Sequence, residues 1–234
     1  MAQHKVSVVM NTYHDDPSML ERAIKSYVNQ QGVETQLIVS TVFEDREAQK
    51  LARKWKAHVS VIQKPGIYQQ LNKALPMVEG DWFTYASGND FALPHKLHHE
   101  VQCCLANKAK VCYSNFYYAG TDGAVTNKTK FREYNYEAHL LGNYVSDLGL
   151  CHISILNKYG PFKSEWGNGA YWDFWLRVAE GEGPDVFTLN KKPEWIYCVS
   201  KASRHMKRKK DRGWIKRNAN IKKRMIAWHR GLAE

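Results

Sequence analysis

Short runs of β-branched residues alternate with segments of helical hydrophobic spacing along the first half of the chain. The run at 5–11 is apolar and lacks polar alternation, so it predicts a strand that is buried on both faces. Apolar residues recur with helical spacing over 19–29, and Asp16 or Ser18 is placed to cap that helix. The same signals predict strands at 35–43, 59–62 and 81–85 and helices at 44–57, 69–75 and 95–107. This alternation across short loops indicates an α/β fold with a mainly parallel sheet and helices on both faces.

The second half of the chain is less regular. Its patterns predict strands at 110–119, 151–156 and 195–199 and a largely buried helix at 171–180. The segment 214–228 predicts an amphipathic helix, with Trp214, Ile221, Met225 and Trp228 on one face and basic residues over much of the rest. We therefore interpret 1–105 and 106–200 as two halves of one domain, followed by a basic helical extension at 201–234.

Composition and cysteine usage restrict the class of protein. The 234 residues are 44% hydrophobic and 12% aromatic, which excludes disorder as the main state. No apolar run approaches the roughly 18 residues that a membrane-spanning helix needs. The five cysteines are an odd number and form no CxxC pair, which is typical of a reduced cytoplasmic protein without a zinc ribbon.

The positive charge lies at one end of the chain. The formal net charge is +11, and residues 201–234 hold 13 of the 34 Lys and Arg residues but only two acids. The preceding 200 residues are therefore neutral. This asymmetry points to an anionic partner, either nucleic acid or an anionic membrane surface.

Five segments occur in a characteristic order between residues 5 and 200. They are VSVVMNTYH at 6–14, GIYQQLNKAL at 66–75, GDWFTY at 80–85 followed by SGND at 87–90 and Pro94, KYGPF at 158–162, and YWDFWLR at 171–177. In this order they resemble the motifs of family 2 glycosyltransferases with the GT-A fold. The resemblance implies a Rossmann-like sheet, a nucleotide-diphosphate sugar as donor (a UDP-sugar in the first instance), and Mg²⁺ or Mn²⁺. It also implies that 1–105 binds the donor and 106–200 the acceptor.

Asp90 is the expected metal ligand. It occupies the position of the last carboxylate in the metal motif of that family, four residues before Pro94. A carboxylate at the carboxyl end of a strand can hold a divalent ion whose other ligands are diphosphate oxygens. The two preceding aspartates of the motif are replaced by Ser87 and Asn89, so Asp90 is the only anion that remains. The alternative is that Asp90 only caps the helix near Pro94.

The resemblance also carries a set of donor contacts onto this chain. Thr41 falls near the position of the uracil-contacting aspartate of the family, and the alternatives for that contact are Glu44 and Asp45. Tyr13 lies in the loop that commonly contacts the nucleotide base in this family. Its alternative role is hydrophobic packing within that loop. The expected donor-binding residues are Thr12, Tyr13, Thr41, Gly66, Asn72, Asn89 and Arg204, the last of them folding back onto the diphosphate.

The general base is expected near the YWDFWLR segment. An inverting transfer needs a carboxylate that deprotonates the acceptor hydroxyl. The usual aspartate of the family aligns with Tyr171, which is a poor base because a tyrosine pKa is about 10. Asp173 is the nearest carboxylate and becomes the predicted base. The alternatives are that Asp173 pairs with Arg177 at i,i+4, or that Glu165 is the base.

The acceptor is expected to be a polyanion. The predicted acceptor-binding residues are His152, Trp172, Lys207, Arg208, Lys209 and Lys210. The alternative for His152 is a core histidine that bonds to the backbone. The basic tail favours a hydroxylated base in DNA as the acceptor, as in phage-type DNA modification. The alternatives are a peripheral membrane transferase of cell-envelope polysaccharide synthesis and a catalytically decayed nucleic-acid-binding relative.

Overall fold

The computed structural model describes residues 4–199 and 212–232, and these form one mixed sheet with helices on both faces. The strands are β1 (Lys5–Asn11), β2 (Glu34–Val42), β3 (His58–Ile62), β4 (Trp82–Ser87), β5 (Phe91–Ala92), β6 (Val111–Ala119), β7 (Val125–Lys128), β8 (Leu150–His152) and β9 (Phe187–Cys198). The helices are α1 (Pro17–Val28), α2 (Arg46–Lys54), α3 (Ile67–Ala74), α4 (Lys96–Ala106), α5 (Tyr136–Leu141), α6 (Ile153–Tyr159), α7 (Ala170–Glu182) and α8 (Arg212–His229).

The sheet changes character between its two halves. Its strand order is β3-β2-β1-β4-β8-β6-β9-β5, with β7 paired to β6. The first four strands are parallel, β8 is antiparallel to both of its neighbours, and β6 and β9 are again parallel. The expected α/β architecture is confirmed. The short antiparallel strand β8 joins the two parallel regions.

Strand β1 shows why both faces of the sheet are covered. Val6, Val8 and Met10 pack with residues of α1, α2 and α4 on one face. Val9 points to the other face, where it packs with residues of α3 and α7. All of these side chains are fully buried. The apolar run without polar alternation therefore predicted this strand correctly, with the bounds it has in the structure.

Two of the predicted strands are wrong in extent. The segment 151–156 is a strand only to His152, whose ring accepts a hydrogen bond from the Ser154 N–H and so begins helix α6. The segment 195–199 is the end of a twelve-residue strand, β9. Pro193 lies in the middle of β9, and the pairing with β6 shifts register there. Proline lacks the N–H that a strand donates to its neighbour, so a sequence pattern that contains proline argues against one continuous strand.

The C-terminal helix α8 packs on the body through its apolar face. Met225 is fully buried, and Ile221 and Met225 lie against Gly167 and Gly169 in the turn before α7. A side-chain carbon on Gly169 would lie 3.4 Å from the Met225 methyl carbon, which is ordinary van der Waals contact, so α8 packs closely on this turn. No helix within 4–199 or 212–232 is long and apolar enough to cross a bilayer.

A fully buried ion pair joins α4 to the middle of the sheet. Lys96 Nζ lies 2.6 Å from Glu100 Oε2, and neither side chain is exposed. The other oxygen of Glu100 accepts a 2.7 Å bond from the Ser114 hydroxyl of β6. Lys96 also donates a 3.0 Å bond to the carbonyl of Leu148, just before β8. The pair therefore ties α4, β6 and the segment that leads into β8 together.

We predict that Lys96→Met lowers the free energy of unfolding by about 3–5 kcal/mol, because it leaves the Glu100 carboxylate buried without its cation. The double variant Lys96→Met, Glu100→Leu should recover much of that loss. Urea denaturation checks both.

The control is Lys54→Met, which removes an exposed lysine from its 2.7 Å pair with Glu21 and should cost no more than about 1 kcal/mol. Equal losses in Lys96→Met and Lys54→Met would contradict the importance of the buried pair.

Candidate functional site

The carboxyl ends of β1 and β2 are held to the start of α3 by side-chain amides. Gln70 Nε2 donates 3.0 Å bonds to the carbonyls of Thr12 and Ser40. The Ser40 hydroxyl donates back to the Gln70 carbonyl at 2.9 Å, and Asn11 Nδ2 donates to the Ile67 carbonyl at 2.6 Å. The loops at this edge are therefore fixed by hydrogen bonds between uncharged groups. The carboxylates at the same edge are not needed to hold these loops.

Asp90 lies in the turn that follows β4, at the same edge of the sheet. It is only 3% exposed, and its Oδ1 accepts a 2.9 Å bond from the Cys198 N–H at the end of β9. Burial raises the pKa of Asp90 to about 7, and the charge of Asp15 adds to the rise. Helix α4 is capped at His95 instead. The capping alternative for Asp90 is therefore not what the structure shows.

A second carboxylate, Asp15, lies against this turn. Its Oδ2 accepts bonds from the Thr12 hydroxyl and from the Tyr13 N–H. The same oxygen would lie 2.7 Å from a side-chain carbon placed on Gly88, so a larger residue at that point of the turn would have to displace the Asp15 carboxylate. Two carboxylates thus lie at one turn. The positive charge of Arg22 lowers the pKa of Asp90, but it offsets only part of the rise that burial causes.

The donor set at this turn fits a divalent ion that takes most of its ligands from elsewhere. Within 4–199 and 212–232 no group of three or more His, Cys, Asp and Glu side chains is arranged to hold a metal. Ser87 and Asn89 bond to each other through the Ser87 hydroxyl and the Asn89 Oδ1. Mg²⁺ commonly uses one or two carboxylates and completes its shell with phosphate oxygens and water, and the buried Asp90 meets that requirement.

Thr41, proposed for the base of the donor, is fully buried. Its hydroxyl donates to Asp45 Oδ2 at 3.4 Å, and Asp45 also accepts from the His14 N–H at 2.7 Å. Tyr13 is partly exposed in the same loop, with its ring edge-on to His14 at 4.7 Å. Asp45 therefore holds the loop through its hydrogen bonds to His14 and Thr41. Of Thr41 and Tyr13, the two residues predicted to contact the nucleotide base, Tyr13 is the one that solvent can reach.

Asn72 and Gly66 both have structural tasks in α3. Both ends of the Asn72 amide bond to the backbone of Phe162, at 2.8 and 2.9 Å. Gly66 precedes α3, and its carbonyl accepts from the Gln70 N–H at 2.8 Å. Asn72 therefore clamps α3 to the loop after α6, and this clamp occupies the amide groups expected to contact the donor.

Asp173, the predicted general base, is enclosed by cations. It is fully buried, with Arg177 Nε 2.8 Å from Oδ2 and His229 Nε2 3.2 Å from Oδ1. Burial alone would raise the pKa of Asp173, but the bonds to His229 and Arg177 outweigh it and lower the pKa below 3.8. The geometry favours the alternative role of Asp173, that of a structural ion-pair partner.

Tyr171 and Trp172 belong to the core. Tyr171 is 1% exposed, and burial raises the pKa of its hydroxyl well above 10, so it cannot act as a base near neutral pH. Trp172 is 7% exposed, and its Nε1 donates a 2.7 Å bond to the His139 carbonyl. The expected acceptor contact of Trp172 would therefore be limited to the small exposed part of its ring.

His152 lies at the wrong end of β4 for an acceptor contact. In the antiparallel pairing it is opposite Trp82, the first residue of β4. The turn that holds Asp90 follows Ser87, five residues further along, or roughly 16 Å at about 3.3 Å per residue. The ring of His152 caps α6 instead. This geometry favours the capping role of His152, and its role in acceptor binding stays a prediction from the sequence.

The remaining predicted site residues lie outside the residues that the structure describes. These are Arg204, Lys207, Arg208, Lys209 and Lys210. Their roles toward the diphosphate and the acceptor stay predictions from the sequence.

The sequence profile of Glycosyl transferase family 2 matches residues 7–160, which is more than half of the chain. The chain belongs to glycosyl transferase family 2. The match spans the turn with Asp90 and ends just before the loop that Asn72 holds. A search of curated protein sequences gave no match.

Solved structures of similar fold cover nearly the whole chain at low identity. Staphylococcus aureus TarS 1–349 with UDP-GlcNAc is 16% identical, with a TM-score of 0.71 over 98% of this chain and 67% of that one. A longer TarS structure is covered over only 43% of its length. The mannosyltransferase PcManGT from Pyrobaculum calidifontis with GDP-Man and Mn²⁺ is 12% identical, with a TM-score of 0.64 over 99% of this chain and 73% of that one.

A third structure is glucosyl-3-phosphoglycerate synthase from Mycobacterium tuberculosis, solved with Mn²⁺, UDP and phosphoglyceric acid. It is 15% identical, with a TM-score of 0.65 over 99% of this chain and 80% of that one. At these identities the likeness shows the fold alone.

Two carboxylates of this family 2 chain escaped the sequence analysis. Asp15 follows the first motif directly, but its contact with Gly88 joins two loops that are far apart in sequence. Asp147 belongs to the segment before β8, outside all five motifs. A search for acidic residues next to predicted strand ends would have found Asp15. Asp147 belongs to no motif, and its place at this edge follows only from the antiparallel pairing of β8 with β4.

We predict that His229→Gln lowers the free energy of unfolding by about 1–3 kcal/mol at pH 6. His229 is 1% exposed at its side chain and bonds Glu180 Oε1 at 2.7 Å as well as Asp173. Burial opposes its charge, but these bonds raise the pKa of His229 above 6.5. The stabilisation is therefore complete below pH 6.5 and is lost as the pH rises through the folded-state pKa.

Denaturation of both proteins between pH 6 and 9 tests this, with the exposed His58→Gln as control. A difference between wild type and His229→Gln that is independent of pH would contradict the charged state of His229.

Proposed function

We propose that this protein transfers a sugar from a nucleoside diphosphate sugar to an acceptor hydroxyl, with Mg²⁺ or Mn²⁺ as its metal ion. The observation that carries the proposal is the buried Asp90, which keeps a carboxylate with a pKa of about 7 beside Asp15 at the strand-end turn of a family 2 fold. A diphosphate with a divalent ion is the ligand that such a turn accommodates. The structures that share the fold contain UDP-GlcNAc, GDP-Man with Mn²⁺, and UDP with Mn²⁺.

Asp90 would hold the ion, and Asp15 would add negative charge beside it. When bound, the ion supplies positive charge that balances the diphosphate as it leaves. Cys198 N–H orients the Asp90 carboxylate, and Tyr13 is placed where it can stack on the base of the nucleotide. A single in-line displacement with inversion is the simplest reaction for this arrangement, with a base on the side of the acceptor.

For the acceptor we propose a polyanion, with DNA as the first candidate. Lys216, Lys222 and Lys223 are exposed on α8, which packs on the turn before α7. Lys207, Arg208, Lys209 and Lys210 precede α8 in the sequence and would add to this charge. The apolar residues Ile221 and Met225 already pack on the body, so neither is available to enter a bilayer. The exposed lysines of α8 and the packing of these two residues support nucleic acid over a membrane surface, although Trp228 is half exposed.

We predict that Asp90→Asn abolishes sugar transfer and Mn²⁺-dependent UDP binding while the fold stays intact, since the amide oxygen can still accept the Cys198 N–H. Asp90→Ala should do the same with some loss of stability. In the wild type, Mn²⁺ affinity should rise as the pH increases through about 7, because the metal needs the ionised form of Asp90. Calorimetric titration of Mn²⁺ and UDP measures each effect.

The exposed Asp122→Asn is the control and should bind as the wild type does. Transfer that survives both Asp90→Asn and excess chelator would disprove the metal assignment. Intact nucleotide binding in a wild type that transfers no sugar would favour the catalytically decayed alternative.

We predict that duplex DNA binding weakens with salt at a slope of log affinity on log salt near −5, if ~6 basic residues contact phosphates. Substitution of Lys216, Lys222 and Lys223 by glutamine should flatten the slope, and so should neutralisation of Lys207, Arg208, Lys209 and Lys210. Donor binding should not change. Filter binding at several salt concentrations provides the slopes.

The matched control replaces the exposed Lys50, Lys56 and Lys64 of the donor half by glutamine, which makes the same change in net charge. Equal slopes for the two triple variants would argue against a specific basic surface. Capture by anionic vesicles that DNA does not reduce, with no sugar transferred to hydroxylated-base DNA, would favour the cell-envelope alternative.

A further inference from the structure

The segment before β8 brings a carboxylate to the edge of the sheet where Asp90 lies. Strand β8 is antiparallel to β4, with Leu150 opposite Thr84. Asp147 lies in the turn that precedes β8, and this turn is on the side of the carboxyl end of β4. The Thr84 hydroxyl lies 3.1 Å from the carbonyl oxygens of both Leu148 and Gly149, so the backbone next to Asp147 is held to β4.

Asp147 and Asp90 act on one tyrosine between them. Burial raises the pKa of Tyr197 in β9, and the negative charges of both aspartates raise it further. Asp147 also acts on the hydroxyls of Tyr68 and Tyr171, whose pKa values are raised mainly by burial. Both carboxylates are therefore near enough to Tyr197 for their charges to act on it.

The orientation of Asp147 is set by a chain of hydrogen bonds. The Asn143 side chain donates to its carboxylate, and Asn143 Oδ1 lies 3.1 Å from His139 Nε2. His139 Nδ1 lies 3.1 Å from the Tyr134 hydroxyl. Because burial lowers the pKa of His139 to about 4, its ring is neutral at pH 7. Nε2–H therefore donates to Asn143, and Nδ1 accepts from Tyr134.

A polar group next to Asp147 lacks a partner. The Tyr171 hydroxyl is buried and forms no hydrogen bond with any residue that the structure describes. Tyr171 occupies the position at which the family motif has an aspartate, so a carboxylate for that role has to come from another residue. Asp147 is near enough for its charge to raise the pKa of the Tyr171 hydroxyl.

The other aspartates of this region are already engaged. Asp173 is held by two cations and fully buried, and Asp90 faces the donor turn. Asp147 is partly exposed and has no cation among the causes of its pKa shift, which are burial and the Asn143 bond. It is thus a carboxylate that an acceptor could approach and that is free to gain a proton.

We propose that Asp147 is the general base of the transfer, an inference that rests on the proposed function. The acceptor oxygen attacks the anomeric carbon, and its proton passes to the Asp147 carboxylate. The bond between the anomeric carbon and the diphosphate oxygen breaks, and its electron pair leaves with the nucleoside diphosphate. Burial raises the pKa of Asp147 to about 6, so the group is ionised at pH 7 yet remains close to the best value for proton transfer.

The test uses the full chain with Mn²⁺ and either UDP-glucose or UDP-N-acetylglucosamine, with water as the acceptor and UDP release as the readout. Asp147→Asn should lower the rate by about 10²–10⁴-fold and leave UDP affinity unchanged. At saturating donor and Mn²⁺, the wild-type rate should rise with pH through about 6, and the variant should lose that rise. Asp147→Glu, which keeps a carboxylate, should retain part of the rate and the pH dependence.

The control is Asp185→Asn, an exposed aspartate in the turn after α7, which should change neither rate nor profile. Asp173→Asn should lower the unfolding temperature, because Arg177 and His229 lose their partner. The variant that remains folded should keep most of the wild-type rate. UDP release by Asp147→Asn at the wild-type rate, or with the wild-type pH profile, would overturn the role of Asp147 alone. A wild type that binds UDP but releases none from any nucleoside diphosphate sugar would overturn the proposed function, and the role of Asp147 with it.

Discussion

The buried ion pair of Lys96 and Glu100 is the constraint on which the two halves of the sheet depend. Both charges are out of water, so each must keep its partners, and Lys96 has one of them in the Leu148 carbonyl. The Thr84 hydroxyl bonds to the same carbonyl, so two side chains hold the backbone beside Asp147. The sheet passes here from its parallel to its antiparallel part, and the buried pair therefore helps to fix the backbone at this junction.

Neutral groups have the corresponding task on the donor side. Gln70 and Asn72 satisfy four backbone groups of neighbouring loops through their amides, and no charge has to be buried for it. The carboxylates at this edge consequently keep their electrostatic effect. The raised pKa of Asp90 reflects that arrangement: its firm contact is one N–H bond, and the nearby Arg22 offsets burial only in part. A cation that arrives with a diphosphate is favoured at such a position.

The sequence predicted what depends on local pattern and on motif order. Strand β1 and the family are examples, since Val6 to Met10 are buried on both faces and the five motifs occur in order. It failed where pairing between distant segments decides. His152 follows a family position, yet the antiparallel register of β8 places it at the far end of β4, and the same register brings Asp147 to the cleft. Helix α6 was missed because a histidine side chain, an unusual cap, begins it.

The loss of an aspartate at position 171 changes how the acceptor half is held together. Tyr171 fills the core, and Asp173 two residues later is bonded to Arg177 and to His229 at the end of α8. Because His229 is most stabilising when charged, the C-terminal helix is attached to α7 by an interaction that weakens as the pH rises. The helix that carries the exposed lysines is thus bonded to Asp173, the carboxylate nearest in sequence to the position of the family's base. Because Asp173 is committed to that attachment, the transfer proposed above takes its base from Asp147, in the turn that precedes β8.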